Sequence, residues 1–246
     1  MISSVTSYKW MDSLAKLPVI NKQIIGYSLM GKPIVALNNT ESNGKKVVVV
    51  ISRQHPPEVT GFLAFQEFIR SLLSSEYLAR KFREEFEIII VPMVNPDGVD
   101  EGNWRHNAAG VDLNRDRDSF KQPETRAVKD FLLKKVSDQQ AKVYYAFDFH
   151  STWYDILYTN SDTLTSFPGL TRQWIACFED ELSVKLRVSS SGNGTNVSKS
   201  WFMRELNADA FTYEVGDNTS REMILKKGAA AARVMMNILV EMSDSR

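Results

Sequence analysis

Four residues of this sequence can bind a metal ion or transfer a proton, and all four lie at the ends of apolar runs. They are His55, Glu58, His150 and Glu214. His55 and Glu58 follow the run 47–51, His150 closes the run 143–149, and Glu214 closes the run 210–214. Open α/β sheets bind ligands in the crevice beyond the carboxyl ends of their strands. The placement therefore predicts one active site built from all four residues.

The types of these residues indicate a zinc site. A catalytic zinc ion takes three protein ligands from His, Glu, Asp or Cys and keeps an open position for water. His55 and Glu58 are three residues apart, so both can reach one ion from a loop that turns into a helix, and a folded sheet can bring His150 to them. Alone, a His-x-x-Glu pair is often a charge pair on a helix surface, and a strand-end histidine is often only hydrogen-bonded. The joint placement favours one Zn²⁺ ion per chain.

Glu214 has two interpretations. As a catalytic group, it would take the proton of a water at the metal and pass it to the leaving amine, which contributes on the order of 10² to 10⁴ in rate. As a structural group, it would be an ordinary partner for a nearby arginine or lysine. Its position at a third strand end, beside the predicted metal ligands, favours the catalytic interpretation.

The composition argues against several classes of partner. Lys+Arg and Asp+Glu balance at 30 each over 246 residues, so the charge indicates neither a nucleic-acid nor a membrane-surface partner. No apolar run reaches the length of a membrane span, and the first residues lack the pattern of a signal peptide. We therefore expect a soluble cytoplasmic protein, with no nucleic-acid or membrane partner. The sequence does not indicate the oligomeric state.

Short apolar runs alternate with segments of helical periodicity, which is the pattern of an α/β fold. The predicted strands span residues 24–29, 34–37, 46–51, 87–94, 143–149, 156–158, 186–189 and 210–214. Helices are predicted directly after Pro56-Pro57, from Gln122-Pro123, and over the C-terminal segment. We expect a single domain over residues 1–246. Residues 95–117 form a long predicted loop, and loops of that length are usually functional.

The single cysteine, Cys177, cannot form an intrachain disulfide. It lies in the apolar stretch Trp174-Ile175-Ala176-Cys177-Phe178. This setting predicts a buried structural thiol rather than a nucleophile.

Several motifs together resemble the zinc carboxypeptidases of the carboxypeptidase A/B type. The motifs are His55-Pro56-Pro57-Glu58, Asn95-Pro96-Asp97-Gly98, Gly102-Asn103-Trp104-Arg105, Gly110-Val111-Asp112-Leu113-Asn114-Arg115, Asp148-Phe149-His150-Ser151 and Phe211-Thr212-Tyr213-Glu214. They occur in the order of the family, from about residue 8 to the C-terminus. The His-Pro-Pro-Glu variant looks most like bacterial and cytosolic members. The resemblance implies a mixed, roughly eight-stranded twisted sheet between helices, which agrees with the strands predicted above.

The resemblance also implies roles for individual residues, beginning with the three zinc ligands and the general base and acid already inferred. Arg105 matches the arginine that polarises the scissile carbonyl, where a permanent cation stabilises developing negative charge. Asn114 and Arg115 match the pair that binds the terminal carboxylate of the substrate, which a guanidinium can contact through two hydrogen bonds. For isolated arginines, a surface ion pair with Asp112, Asp116 or Asp118 would be the simpler interpretation. Within this motif, the catalytic roles are favoured.

The sequence departs from the family pattern at three positions. Pro57 replaces an arginine of secreted members, which removes one substrate contact. Gly192 falls at the position of the family's mobile tyrosine, so a water or a nearby residue would take that role. Lys199 falls at the base of the specificity pocket, which suggests a preference for a C-terminal Glu or Asp. An alternative for Lys199 is a solvated charge on a helix surface.

The leading hypothesis is a zinc-dependent carboxypeptidase acting on a peptide or an amino-acid amide with a free carboxylate. A second hypothesis is an amidohydrolase of the same fold, acting on γ-glutamyl or cell-wall peptides or on N-acyl amino acids. A third is a peptide-binding pseudoenzyme, which the missing tyrosine would favour. The retained ligands and Glu214 oppose it.

Overall fold

The computed structural model describes residues 2–161, 164, 167–190 and 195–244. Within them, eight strands form one mixed sheet. The strands are β1 Ile20–Tyr27, β2 Pro33–Asn39, β3 Lys46–Ser52, β4 Phe86–Val91, β5 Lys142–Thr152, β6 Ile156–Tyr158, β7 Val188–Ser189 and β8 Asp209–Gly216. Their order across the sheet is β1-β2-β4-β3-β5-β8-β6-β7. The four central strands β4, β3, β5 and β8 run parallel, so their carboxyl ends meet at one edge.

Helices cover both faces of the sheet. They are α1 Ser4–Leu14, α2 Val59–Leu72, α3 Tyr77–Glu85, α4 Pro96–Glu101, α5 Pro123–Gln139, α6 Leu170–Leu182, α7 Ser198–Leu206 and α8 Arg221–Asp244. One apolar core lies between the sheet and α1, α2, α3, α6 and α8, and a second lies between the sheet and α5 and α7. The predicted α/β fold, with a mixed sheet between helices, is confirmed.

A close contact between α2 and β5 fixes the geometry around the predicted site. A Cβ atom added to Gly61 would lie 2.0 Å from the carbonyl oxygen of His150. Only glycine therefore allows the first turn of α2 to pack this closely on the strand. The same approach brings Glu58, the residue before α2, next to the side chain of His150.

Two predictions about local structure need correction. Residues 95–117 are not a continuous loop, because they contain α4 and a short 3₁₀ turn, Leu113–Arg115. Cys177 is exposed rather than buried. The buried face of α6 carries Trp174 and Phe178, four residues apart, and Cys177 lies about 100° around the helix from Phe178.

Candidate active site

The turn after β3 presents the first two site residues. Arg53 has φ 57°, in the left-handed region, and its buried guanidinium donates to the carbonyl oxygen of Pro56 over 3.0 Å. The residues after this turn include His55, whose ring lies 4.7 Å from that of His150 on β5. Glu58 lies at the N-terminal end of α2, where the helix dipole favours a carboxylate.

The predicted metal ligands lie together. His55 Nδ1 is 2.7 Å from Glu58 Oε1, and His150 Nδ1 is 2.6 Å from Glu58 Oε2. The two Nδ1 atoms are 3.1 Å apart. The ligand atoms of His55, Glu58 and His150 all lie within 4.8 Å of one another, so this group could hold one metal ion.

A further carboxylate contacts the second ring nitrogen of each histidine. Asp112 Oδ1 is 3.0 Å from His55 Nε2, and Asp148 Oδ2 is 2.9 Å from His150 Nε2. Such contacts orient histidine ligands in metal sites and raise their basicity. Burial lowers the pKa of His150, but Asp148 and Glu58 outweigh burial and raise this pKa well above its ordinary value. The surroundings thus stabilise positive charge, as a cation site requires.

Glu214 lies on β8, directly opposite His150 on β5. Burial raises the pKa of Glu214 to about 7, although His150 acts in the opposite direction. Within the described part of the chain, its buried Oε2 accepts no hydrogen bond. A carboxylate oxygen without a protein donor, beside a cluster of metal-binding groups, fits the donor set of a metal-dependent hydrolytic site.

One cavity of about 460 Å³ opens over this cluster. Seven of the eight residues predicted from the sequence line it, and His150 lies buried beneath. Its lining residues are His55, Glu58, Arg105, Asn114, Arg115, Ser151, Thr152, Tyr158, Thr195, Asn196, Val197, Lys199, Thr212 and Glu214. The fold therefore brings the whole predicted set to one place.

Arg105, Asn114 and Arg115 lie on one side of the cavity. Arg105 Nε donates to Asp112 Oδ2 over 2.6 Å, so the ion pair considered as an alternative exists, but it is formed by an arginine that lines the cavity. Asn114 Oδ1 accepts from the backbone N–H and the hydroxyl of Ser198, over 2.8 and 3.1 Å. The Asn114 NH₂ group is consequently left as a donor. Arg115 is exposed and donates to the backbone oxygen of Asn114 over 2.8 Å.

Lys199 lies in the first turn of α7 and is only 3% exposed, so it is not a solvated charge on a helix surface. Its ammonium donates to Asn160 Oδ1 over 3.3 Å and forms no ion pair with a carboxylate in the described ranges. Burial lowers the pKa of Lys199 to about 8. A buried ammonium at a cavity wall is suited to an anionic ligand group.

The structure also shows site features that the sequence did not indicate. The contacts of Asp112 and Asp148 with the histidines were missed, although both lie in the quoted motifs. Tyr158 lines the cavity on β6, and no local pattern marks it. Pro57 is exposed between the two ligands. Gly192, the position predicted to replace the tyrosine, lies outside the described residues.

Comparisons with known sequences match this chain to zinc carboxypeptidases. A family model described as zinc carboxypeptidase matches residues 7–234. Cytosolic carboxypeptidase 2 of Danio rerio is 36% identical over 143 residues, which cover 55% of this chain and 20% of the relative. Cytosolic carboxypeptidase 6 of Mus musculus is 31% identical over 153 residues, covering 58% of this chain and 28% of the relative. The chain thus spans less than a third of the length of these relatives.

Solved structures share the fold at low sequence identity. A metallo-carboxypeptidase from Burkholderia cenocepacia superposes with a TM-score of 0.78 and 23% identity, covering 96% of this chain and 69% of the other. A Pseudomonas aeruginosa metallo-carboxypeptidase, solved with (2-guanidinoethylmercapto)succinic acid, has a TM-score of 0.78 and 18% identity, with the same coverage. The family match covers most of the sequence, and it is supported by the motifs and the fold. The chain belongs to the zinc carboxypeptidase family.

Proposed function

We propose that this protein is a zinc-dependent carboxypeptidase that removes one C-terminal residue and prefers an acidic one. The observation that carries the proposal is the composition of the cavity over the metal-binding group. It combines a metal-binding group, a carboxylate whose Oε2 has no donor among the described residues, and side chains suited to a free carboxylate. The last of these distinguishes an exopeptidase from an endopeptidase, because only a chain end offers a free α-carboxylate.

Each part of the cavity would act on a different part of the substrate. Asn114 and Arg115 bind the terminal carboxylate, which fixes the scissile bond relative to the metal-binding group. Zinc, when bound, lowers the pKa of water to about 7 and polarises a carbonyl group. Glu214 accepts a proton from the attacking water and returns it to the leaving amine. Arg105 stabilises the negative charge that develops on the carbonyl oxygen.

The proposed preference for an acidic residue rests on Lys199. Its ammonium is buried at the cavity wall and has only a neutral amide, Asn160, as a partner within the described chain. A carboxylate in the substrate side chain would supply the missing counter-charge. An aliphatic side chain would leave the ammonium without a counter-charge, and a basic side chain would repel it.

We further propose that residues 1–246 act as one catalytic domain and that the protein is cytoplasmic. The names of its cytosolic relatives support the location. No helix in the described ranges combines the length and apolar character needed to cross a bilayer.

Release of free amino acids from peptides ending in Glu, Phe or Lys tests the proposed activity. We expect the zinc-loaded protein to release single residues and to prefer Glu, and a chelator to abolish release until zinc is restored. Cleavage of Phe peptides as good as that of Glu peptides would contradict the acidic preference. Bound zinc with cleavage only of γ-glutamyl or N-acyl substrates would support the amidohydrolase instead. Bound zinc without any turnover would support a peptide-binding protein.

Lys199→Met should reduce the preference for C-terminal Glu over the neutral isostere Gln by about 10- to 100-fold in kcat/KM. Hydrogen bonds to charged groups contribute about 1.5–3 kcal/mol, and about 1.4 kcal/mol corresponds to a factor of ten. In the wild type, the preference should also fall as the pH rises through about 8, since the ammonium then loses its proton. The kcat/KM ratio for paired Glu and Gln peptides, measured from pH 6.5 to 9.5, checks both expectations.

Comparison of the variant with the wild type separates Lys199 from the other titratable and charged groups of the cavity. Tyr158, Arg115 and Glu214 also face the cavity, so the same pH series is measured on Lys199→Met, and the part of the pH dependence that this variant loses is assigned to Lys199. Lys226→Met, at an exposed lysine on α8, is the matched control and should leave the ratio unchanged. A Lys199→Met ratio that equals the wild-type ratio would remove Lys199 from the specificity site.

A further inference from the structure

We propose that Gln54 is a positioning residue that couples the metal ligand His150 to the carboxylate-binding Asn114 through a chain of buried hydrogen bonds. We call this chain the buried relay, and its members are Gln54, Asp148, Ser198 and Arg117. The inference rests on the proposed function, because it assigns the relay to the same metal and substrate sites. It adds that one residue, Gln54, positions both the metal ligand His150 and the carboxylate-binding Asn114.

Gln54 lies in the turn after β3 and is fully buried. Its Nε2 donates to Asp148 Oδ2 over 2.7 Å and to Ser198 Oγ over 2.8 Å. Its Oε1 accepts from Arg117 Nη2 over 2.6 Å. An anion lies on the amino side of the amide and a cation on the carbonyl side, so the reversed orientation is excluded. Both protons of the NH₂ group are used, and the relay therefore has one arrangement.

The first branch of the relay reaches the metal site. Asp148 and His150 are two residues apart on β5, so their side chains point to the same face of the sheet. Asp148 Oδ2 lies 2.9 Å from His150 Nε2. Gln54 donates to this same oxygen and so restrains the rotation of the Asp148 carboxylate. The imidazole is held with Nδ1 towards Glu58. Partners of this kind typically change metal affinity about 10- to 100-fold when mutated.

The second branch reaches the carboxylate-binding side. Ser198 Oγ accepts from Gln54, so its single proton is directed to Asn114 Oδ1, 3.1 Å away. The backbone N–H of Ser198 donates to the same oxygen. With Oδ1 occupied, Asn114 can offer only its NH₂ group to a ligand, which is the orientation that a substrate carboxylate needs.

Arg117 supplies the charge that balances Asp148. It is completely buried, and burial lowers its pKa to about 10, while Asp148 and Asp116 act in the opposite direction. The guanidinium therefore remains cationic at neutral pH. Gln54 lies between this cation and the Asp148 anion, and its amide is the link between them. An apolar residue in its place would leave both charges without that partner.

The relay is tested with three variants and two measurements. Gln54→Met should weaken zinc binding about 10- to 100-fold and raise KM about tenfold at saturating zinc. Asp148→Asn should weaken zinc binding alone, because it interrupts only the first branch. Ser198→Ala should raise KM alone, because it interrupts only the second. Competition with a chromophoric chelator gives the zinc dissociation constant, and peptides ending in Glu give KM and kcat.

A buried amide outside the site provides the control. Asn38 lies on β2 and donates to Glu87 Oε1 over 2.8 Å, at the opposite end of the strands. Asn38→Leu should leave zinc affinity and KM within twofold of the wild type, which separates the relay from a general loss of packing. The proposal is contradicted if Gln54→Met behaves like this control, or if Ser198→Ala weakens zinc binding as much as Asp148→Asn does.

The test does not depend on turnover. If no peptide is cleaved, calorimetric binding of acetyl-glycyl-glutamate to the zinc-loaded protein replaces KM, and the same pattern is expected. Failure of the proposed function would then appear as absent hydrolysis with the pattern intact, whereas failure of the relay would appear as a lost pattern. If Gln54→Met does not fold, Gln54→Asn replaces it, because the shorter side chain keeps the amide but cannot reach both Asp148 and Ser198. Weakened zinc binding and a raised KM are again expected together, and a variant that shows neither change would contradict the proposal.

Discussion

Glu214→Gln should lower kcat by about 10²- to 10⁴-fold and leave zinc bound. Glutamine has the shape of glutamate but cannot accept the proton of the attacking water, and general-base catalysis contributes a factor of this size. Glu214 lies opposite His150 but is not one of the three clustered ligands, so metal affinity should be retained. Steady-state rates on a peptide ending in Glu, together with the zinc content of the purified variant, check the expectation.

Glu222→Gln provides the matched control for this substitution. Glu222 is exposed on α8 and pairs with Lys226, so the same chemical change should not alter kcat. A Glu214→Gln protein that keeps zinc and more than a tenth of the wild-type rate would assign the proton transfer to another group. Loss of zinc in the variant would instead make Glu214 part of the metal site.

Arg105→Met should lower kcat by about 10²- to 10³-fold with little change in KM. Removal of one group that stabilises an oxyanion has an effect of this size, and the interaction is made mainly in the transition state. Only Nε of Arg105 is used by Asp112, which leaves the terminal nitrogens of the guanidinium for the cavity. Initial rates over a range of peptide concentrations separate kcat from KM.

Arg115→Met is the informative comparison, because the two arginines have different proposed partners. Arg115 should bind the substrate carboxylate already in the ground state, so its loss should raise KM more than it lowers kcat. The alternative for Arg105 is that it only restrains Asp112 and, through Asp112, His55. In that case, Arg105→Met would weaken zinc binding, and excess zinc would restore the rate.

Much of this candidate site can be predicted from the sequence because residue types that bind metals or transfer protons occur at the ends of its predicted strands. His150 and Glu214 lie near the ends of parallel neighbouring strands, and parallel strands place their carboxyl ends together. The α2 helix begins at Val59, directly after the Pro-Pro-Glu segment, as its apolar periodicity predicts. These signals are local, so the sequence alone reveals them.

Predictions failed, or stayed open between two interpretations, where burial depends on the surface packed against the residue. Cys177 lies in an apolar stretch, but only the face of α6 that carries Trp174 and Phe178 is buried. Lys199 had equally good interpretations as a surface charge and as a pocket residue. The packing of α7 against β5 and β8 decided between them, because it buries the first turn of the helix at the cavity.

The sequence by itself determined the fold class, the family and the candidate residues for the chemistry. Only the tertiary structure decided how those residues are supported. The hydrogen bonds of Gln54 to Asp148 and Ser198 join segments 94 and 144 residues away along the chain. Their distances follow from how two strands and a helix pack together. No periodicity or local propensity encodes such a distance, because each partner is locally compatible with many other surroundings.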